Sequence, residues 1–318
     1  MEELIGRMEL LEVLPGETPR QHRLDLSALL NQGGIPDSEP RFCIEPSNPS
    51  FDKGELAERM MADAIESIKA KRPLELSYPI GNIHRSIGAR LSGEIARQHG
   101  AEGLPDNSLT IRLQGSAGQS FGVWNAKGLQ LVLEGDANDY VGKGMAGGQI
   151  VIWPPRNASY PSHQATIIGN TCLYGATGGR LFAAGMAGER FAVRNSGAFA
   201  MVEGLGDHGC EYMTGGAIVV LGDTGLNFGA GMTGGFALVY DENDQFVHHY
   251  NHELIDIHRI NTENTGRTRL WLRAQIEEHV KLTNSARGRE LLDSFDDAVN
   301  RFWLVEPKAA QLDSLLHP

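Results

Sequence analysis

The sequence contains few cysteines. Only Cys43, Cys172 and Cys210 occur among 318 residues, and no two of them have the C-x-x-C spacing. An odd number of widely separated cysteines does not suit a disulfide framework, and a cysteine-ligated cluster needs closely spaced ligands. We therefore expect no disulfide framework and no metal cluster held by this chain.

The sequence also lacks an excess of basic residues and any long apolar run. It has 28 Lys and Arg against 40 Asp and Glu, a formal charge of −12, which does not favour binding to nucleic acid or to anionic lipid. No stretch approaches the roughly 20 apolar residues that span a bilayer. The first residues, MEELIGRMELLEVLPGE, are acidic where a secretory leader is basic. These features predict a cytoplasmic protein with neither nucleic acid nor a membrane as partner.

Glycine, in contrast, is abundant and regularly spaced. The 39 glycines crowd between Gly103 and Gly235, and their share of about 12% exceeds the usual 7% or so. A 19-residue spacing separates Gly178, Gly197, Gly216 and Gly235, and also Gly128 and Gly147. Two sets of side chains keep the same spacing: Leu181, Ala200, Val219 and Leu238, and then Phe182, Met201, Val220 and Val239. Self-similarity at a short fixed period indicates a solenoid.

The residues within one repeat indicate the type of solenoid. Runs such as QIVIW, AIVVL and FALVY are β-branched or aromatic, alternate with glycine turns and show no helical period. Stacked coil on coil, they would form parallel sheets, with glycines in turns of positive φ. We predict a mainly β fold, a single-stranded right-handed parallel β-helix over about Ser108 to Tyr240. We expect about six to seven coils, with PPRNASYPSHQ as an extruded loop.

The flanking segments have helical patterns. Residues 52–70 carry Asp52 and Glu55 at capping-box spacing, with an apolar side made of Leu56, Met60, Met61, Ile65 and Ile68. Residues Ser92 to His99 predict a short helix that Gly100 ends. After the repeat, Thr268 is placed to cap a helix with Leu272, Ile276 and Val280 inward, and LLDSFDDAVNRF predicts another. The predicted organisation is an irregular connector at 1–50, a helical N-terminal cap at 51–107, the β-helix at 108–245 and a helical C-terminal segment at 246–318.

Two segments match G-x-G-x-x-G, at Gly142–Gly147 and Gly229–Gly234. In a dinucleotide-binding fold this motif follows a strand and opens a helix, because the pyrophosphate binds at the helix N-terminus. Here GQIVIWPP and GFALVYD follow, and both are typical of strands. We therefore interpret these glycines as turn residues of the solenoid and Lys143 as a solvated turn residue.

Three further groups have residue types that can support chemistry. Asp207, His208, Cys210 and Glu211 lie within five residues, but a Cys–His pair usually draws on distant segments, so a tight turn with a buried thiol is favoured. His248, His249 and His252 carry only a weak zinc signal, because no helix or further ligand pair accompanies them. Asp136, Asp139, Asp207 and Asp223 lie at glycine turns without the calcium-binding G-G-x-G-x-D repeat, and we expect them to bond nearby backbone amides. We predict no catalytic, cofactor-binding or metal-ligating residue.

Longer segments resemble a known family. They are GSAGQSFG, LEGDANDYVGKGMAGG, IIGNTCLYGATGG, AGERFAVRNSGA, VEGLGDHGCEYMTGG and TGLNFGAGMTGG. They are similar to the GXGXG domain at the C-terminus of the glutamate synthase large subunit. The resemblance continues in ELIGRMELLEVLPGE, NIHRSIGARLSGEIARQHG and HVKLTNSARGRELLDSFDD, and so covers nearly the whole chain. One departure is His84, where the family more often has an acidic residue.

The resemblance implies an iron–sulfur flavoprotein that makes glutamate from glutamine and 2-oxoglutarate with electrons from NADPH or ferredoxin. In that family the chemistry belongs to an amidotransferase module and to a module with FMN and a [3Fe-4S] cluster, neither of which matches this sequence. The family's β-helix is a scaffold between these modules that helps to enclose the ammonia route. The resemblance thus implies a non-catalytic chain that binds no cofactor itself. Its partners would be those two modules and, through them, the small NADPH/FAD subunit or ferredoxin.

Two alternatives remain open. One is a GXGXG subunit of a related complex, of the N-methylglutamate synthase or formylmethanofuran dehydrogenase type. The other is a β-helix enzyme acting on polysaccharide, although only Trp124 and Trp153 of the four tryptophans lie in the repeat.

Overall fold

The 19-residue repeat stacks strand upon strand in the computed structural model of the chain. The structure describes residues 54–260 and 265–309 and a few isolated positions before residue 47. Internal contacts divide the chain into two units, Met1–Asp52 and Lys53–Pro318. Nearly all of the first unit lies outside the described residues, including Asp52 and most of the connector predicted at 1–50. The second unit contains every element described below.

One eleven-stranded sheet runs the length of the second unit. The strands are β1 (Leu74–Ile80), β2 (Leu109–Ala117), β3 (Leu129–Ala137), β4 (Ala146–Trp153), β5 (Thr166–Ile168), β6 (Gly178–Ala187), β7 (Ser196–Leu205), β8 (Thr214–Val220), β9 (Gly234–Tyr240), β10 (Ile255–Arg259) and β11 (Phe302–Pro307). Their order is β1-β2-β3-β4-β6-β7-β8-β9-β11-β10, and β5 pairs with β3 and β6. Pairing from β1 to β9 is parallel, while β11 and β10 are antiparallel. The predicted parallel β-helix is confirmed, with about seven turns.

The sheet extends beyond the repeat at both ends. Strand β1, within the segment predicted as a helical cap, pairs in parallel with β2. Its residues alternate in burial along most of its length, as a half-buried strand does. At the other end β11 returns from the helical segment to pair with β9. Neither strand belongs to the 19-residue period, so the period alone could not indicate them.

Five α-helices flank the coils in the part of the chain that the structure describes. They are α1 (Glu55–Ala70), α2 (Ala89–His99), α3 (Gly266–Thr283), α4 (Ala286–Asp293) and α5 (Phe295–Ala298). Helix α1 begins after Gly54 without a side-chain cap, and α2 ends at Gly100 as predicted. Helix α3 is preceded by Thr265, so Thr268 is not its cap but a buried residue of its first turn. None of the helices in the described part of the chain has the length and apolarity needed to cross a membrane.

Alternate residues of the strands face two different cores. Leu181, Ala200, Ile218 and Ala237 pair in succession and lie inside the coils. Phe182, Met201, Val219 and Leu238 pair in succession and face outward, where α3, α4 and α5 cover them. Both faces of these strands are therefore buried, which explains why they read as continuous apolar runs.

The predicted phase of these ladders was wrong for the last two coils. Val219 and Leu238 belong with Phe182 on the outer face, not with Leu181 inside. The cause is an irregularity between β7 and β8, where Ser196 pairs with Gly215 but Phe199 pairs with Ala217. One extra residue on β7 shifts the register by one position, and such a shift moves each following side chain to the other face.

Between successive strands from β2 to β9, six five-residue segments have an unusual backbone. The segments are 120–124, 140–144, 171–175, 190–194, 208–212 and 227–231, and in each the first, third and fifth residues have positive φ. We call this stack of segments the positive-φ wall. Twelve of its eighteen positive-φ residues are not glycine, although this conformation costs a residue with a side chain about 1–2 kcal/mol.

Hydrogen bonds between coils offset this cost. In segment 190–194, the backbone N–H groups of Arg190 and Arg194 donate to the backbone carbonyls of Asp207 and Glu211 in the next coil, at 2.8 and 2.9 Å. The Ala192 N–H donates in the opposite direction, to the backbone carbonyl of Cys172 in the preceding coil, at 2.9 Å. The same alternation recurs from coil to coil. The wall is thus bonded along its length in the manner of a sheet, although its residues are not in β conformation.

Candidate functional site

The two G-x-G-x-x-G segments are turns of the solenoid. Gly142 and Gly144 belong to the positive-φ wall, and strand β4 follows them. Gly229 and Gly231 occupy the same positions in the last segment of the wall, and β9 follows. No helix begins at either motif, so the backbone lacks the helix N-terminus that would hold a pyrophosphate. The ammonium of Lys143 lies 5.2 Å from the centre of the Tyr140 ring.

The residues of the GDHGCEY segment point in different directions. Cys210 is buried inside the coils, while His208 lies on the outside of the wall. His208 Nδ1 is 2.8 Å from Glu211 Oε1, and the Asn227 amide donates to the same oxygen at 3.1 Å. The Cys210 thiol is therefore not part of a Cys–His pair. The histidine and the glutamate form a hydrogen-bonded group that joins neighbouring coils.

Burial makes both described thiols poor nucleophiles. It raises the pKa of Cys172 to about 12 and raises that of Cys210 still further. In a Cys43→Ser background, we expect a thiol reagent such as DTNB to label neither cysteine in the folded chain and both after unfolding in guanidinium. Rapid labelling of the native protein would contradict the burial of these two side chains.

The histidines after the last parallel strand lie in and just after a short helical turn. His248 ends a short 3-10 helix at Phe246–His248, and the backbone carbonyl of His252 accepts from Lys308 Nζ at 2.7 Å. Among the described residues, no group of three or more His, Cys, Asp or Glu side chains is placed to hold a metal ion.

The turn aspartates bind backbone amides, as predicted, at two of the four positions. Asp139 Oδ1 accepts from the N–H of Asn170 and Asp207 Oδ1 accepts from that of Leu226, each at 2.7 Å. Each of these bonds joins one coil to the next. Asp136 accepts instead from the Ser116 hydroxyl at 2.7 Å, also across coils. Asp223 is exposed.

Replacing Asp207 by alanine is expected to lower the free energy of unfolding by about 1–2 kcal/mol, because the Leu226 N–H loses its acceptor. Asp223→Ala is the matched control, an exposed turn aspartate for which we expect a change within about 0.5 kcal/mol. Urea unfolding of both variants measures the difference. A calcium-dependent stability in the unchanged chain would contradict this account of the aspartates.

A buried polar cluster joins the C-terminal helices to the coils. Glu203 on β7 and His279 on α3 are 1% and 0% exposed. Glu203 Oε1 lies 3.3 Å from His279 Nε2 and accepts from the hydroxyl of Ser285, the N-cap of α4. Glu203 Oε2 accepts from Ser162 of the extruded loop at 2.8 Å. One carboxylate thus connects a strand, two helices and a loop.

Competing effects act on the ionisation of this carboxylate. Burial alone would raise the pKa of Glu203, but the bonds and charge of His279 and the hydroxyls of Ser285 and Ser162 hold it below its ordinary value. His279 Nδ1 is buried without a hydrogen-bond partner. Neither serine hydroxyl bonds the imidazole, so the group is not arranged as a nucleophile and its base. Its geometry indicates a structural connection.

A groove of about 780 Å³ lies between α3 and the starts of strands β6 to β9. Phe199, Phe236 and Trp271 form its aromatic side, with ring centres 5.4 to 5.8 Å apart. At one end Arg180 bonds Glu278 and Gln275 of α3. Its guanidinium also lies over the rings of Phe182 and Phe199. Arg180 and its partners on α3 thus bond one another at this end of the groove.

Comparison with known proteins places this geometry in a family. The GXGXG motif model matches residues 55–308. The NADPH glutamate synthase large chain of Azospirillum brasilense is 45% identical over 309 residues, which cover 97% of this chain and 20% of that protein. Ferredoxin-dependent glutamate synthase 2 of Synechocystis is 45% identical over 311 residues, 96% of this chain and 20% of that protein. Ferredoxin-dependent glutamate synthase 1 of Arabidopsis thaliana is 43% identical over 315 residues, which cover 98% of this chain and 19% of that protein. The chain spans about a fifth of the length of these relatives.

Proposed function

The chain belongs to the GXGXG family as it occurs in glutamate synthase large chains, and on that premise we propose that it is a non-catalytic scaffold of a glutamate synthase. The observation that carries the proposal is the match of almost the whole chain to one fifth of three such enzymes. In this role the chain positions the amidotransferase and FMN modules and helps to enclose the ammonia route. The three relatives are all glutamate synthases, which favours this role over that of a subunit in a related GXGXG complex.

The physical properties of the coils support the role. Parallel strands lie about 4.8 Å apart, so the seven steps from β1 to β9 span roughly 34 Å. Both the sheet and the positive-φ wall are bonded from coil to coil, so the stack resists bending and holds its two ends at a constant separation. Ammonia that escapes to water is protonated and lost to the reaction, and constant spacing of two active sites prevents that loss.

FMN and the [3Fe-4S] cluster would be held by the other modules, and this chain would bind neither. The purified chain is expected to show no flavin absorption and to release neither flavin nor iron in acid. A stoichiometric amount of either would contradict a non-catalytic scaffold. The electron donor, NADPH through a small subunit or ferredoxin, would likewise interact with the remainder of the enzyme.

The ammonia balance of an assembled enzyme tests the scaffold role. The remainder of a glutamate synthase is assayed with and without this chain, and the 2-oxoglutarate consumed is compared with the glutamine hydrolysed. We expect a ratio near unity when the chain is present and free ammonia in the medium when it is absent. The same ratio in both preparations would contradict the proposal.

A further inference from the structure

We propose that the positive-φ wall is the face by which the chain binds the remainder of a glutamate synthase, with Trp124, Arg194 and Tyr212 as the anchoring residues. This inference rests on the proposed function and adds to it the surface and the side chains that make the contact. The partner is a protein surface with apolar pockets for two aromatic rings and acidic groups beside them.

The outward-facing positions of the wall are accessible to solvent. The first and fifth residues of its six segments point outward, and none of the twelve is buried. Trp124 is 64% exposed and Tyr212 is 57% exposed. The outer face of strands β6 to β9 is instead closed by α3, α4 and α5. Large exposed aromatic side chains on a rigid backbone are typical of protein interfaces.

The fifth position of each segment shows that folding does not require these side chains. That position holds Trp124, Gly144, Gly175, Arg194, Tyr212 and Gly231 in successive coils, all with φ between 53° and 70°. Glycine adopts this conformation without strain, whereas tryptophan, arginine and tyrosine do not. Three coils thus carry a strained, exposed residue where glycine suffices elsewhere. The three types present are those most enriched at the centres of protein interfaces.

Neighbouring glycines hold the two aromatic rings in place. A Cβ on Gly144 would lie 2.9 Å from Trp124 Cδ1, and one on Gly231 would lie 2.6 Å from two atoms of the Tyr212 ring. Each ring therefore lies against the bare backbone of the next coil. A ring fixed in this way loses little conformational entropy when a partner covers it.

The charges of the wall indicate the chemistry of the partner. Arg190 and Arg194 are exposed, and within the described residues neither guanidinium makes an ion pair or a side-chain hydrogen bond. Asp139 and Asp207, at the edge of the wall, are already bonded to backbone amides. The chain carries a net charge of −12, so two unpaired arginines on one face are a local exception. They would pair with carboxylates of the partner.

The length of the relatives indicates which partner this is. About four fifths of each glutamate synthase compared above lies outside the region that this chain matches. Modules of that size must contact the β-helix over a substantial area if they are to be held in place. Among the faces of the coils, the wall combines exposed aromatic rings with unpaired arginines.

Glycine variants separate binding from folding. Trp124→Gly and Tyr212→Gly place the residue of the neighbouring coils at each position, so we expect unfolding midpoints no lower than that of the unchanged chain. Binding to the separately expressed remainder of the enzyme, measured by calorimetry, is expected to weaken about 30-fold for each variant. Arg194→Glu is expected to slow association and to reduce its dependence on salt.

Two controls lie on other surfaces. Leu270→Ala removes an apolar side chain on α3 that is 72% exposed, and Arg156→Glu reverses a charge on the extruded loop; neither is expected to change binding. Normal binding by the wall variants would overturn the inference and leave the scaffold proposal standing. Failure of the unchanged chain to bind the remainder would overturn the proposed function itself. Self-association or glycan binding that Trp124→Gly abolishes, with binding to the remainder intact, would also overturn the inference.

Discussion

Glu203→Ala is expected to lower the free energy of unfolding by about 3–5 kcal/mol, the usual cost of leaving a buried charged partner unpaired. The substitution removes the acceptor for His279, Ser285 and Ser162 at once. It therefore weakens the attachment of α3, α4 and the extruded loop to β7. Urea unfolding monitored by tryptophan fluorescence measures the change, since Trp271 lies on α3.

The matched control is Glu58→Ala. Glu58 pairs with Arg90 at 3.1 Å on the surface, where both side chains are more than a third exposed, and such pairs contribute about 0–1 kcal/mol. Equal losses for the two variants would contradict the structural role of the buried cluster.

The same carboxylate predicts a dependence on pH. Its folded pKa lies below the ordinary value of 4.5, so its contribution to stability is present above that value and is lost as the pH falls through the folded pKa. The unchanged chain should therefore lose stability on acidification below about pH 4.5. Glu203→Gln should lose less over the same range, and an identical acid profile in the two proteins would contradict the assignment.

Gly135→Ala is expected to be among the most destabilising single substitutions in the coils, by about 4 kcal/mol or more. Gly135 lies within β3, at φ 151°, and pairs with Gly115 of β2. A Cβ at this position would overlap the carbonyl oxygen and carbon of Gly115, which are backbone atoms and cannot rotate away. The two coils would have to separate, and their hydrogen bonds would lengthen.

Substitutions at two other glycines separate the cost of backbone strain from the cost of steric overlap. Gly175 has φ 63° and open space around it, so Gly175→Ala should cost only the conformational strain of about 1–2 kcal/mol. Gly93 lies in α2 with no atom within 4 Å of an added Cβ, so Gly93→Ala should stabilise by up to about 1 kcal/mol. Thermal unfolding of the three variants should follow this order. A Gly135→Ala protein as stable as Gly175→Ala would show that the coils can separate at little cost.

The repeat made the solenoid predictable, but it did not predict the strand register or the positive-φ wall. The 19-residue spacing of glycines from Gly178 indicated stacked parallel strands, and the structure has them. The ladder phase failed at Val219, because one extra residue on β7 leaves no mark in a pattern of alternating small and apolar residues. The positive-φ wall was not evident, because its backbone conformation is held by Leu173, Ala192 and Arg190 as well as by glycine.

The buried cluster could not be read from the sequence for a different reason. Ser162, His279 and Ser285 are 41, 76 and 82 residues from Glu203. Each looks like an ordinary surface residue in its own segment. Only the folding of the C-terminal helices onto the outer face of the sheet brings them together.

The extruded loop shows how such a stack can change in evolution. The step from Gln149 of β4 to its partner Arg180 of β6 takes 31 residues instead of 19, yet the two strands still pair in parallel. Extra residues in a coil therefore protrude as a loop and do not change the distance between the strands that pair along the stack. The distance between the two ends can change only by gain or loss of a whole coil, in increments of about 4.8 Å. Mutations within coils can reshape the surface, but the length of the stack varies in discrete units.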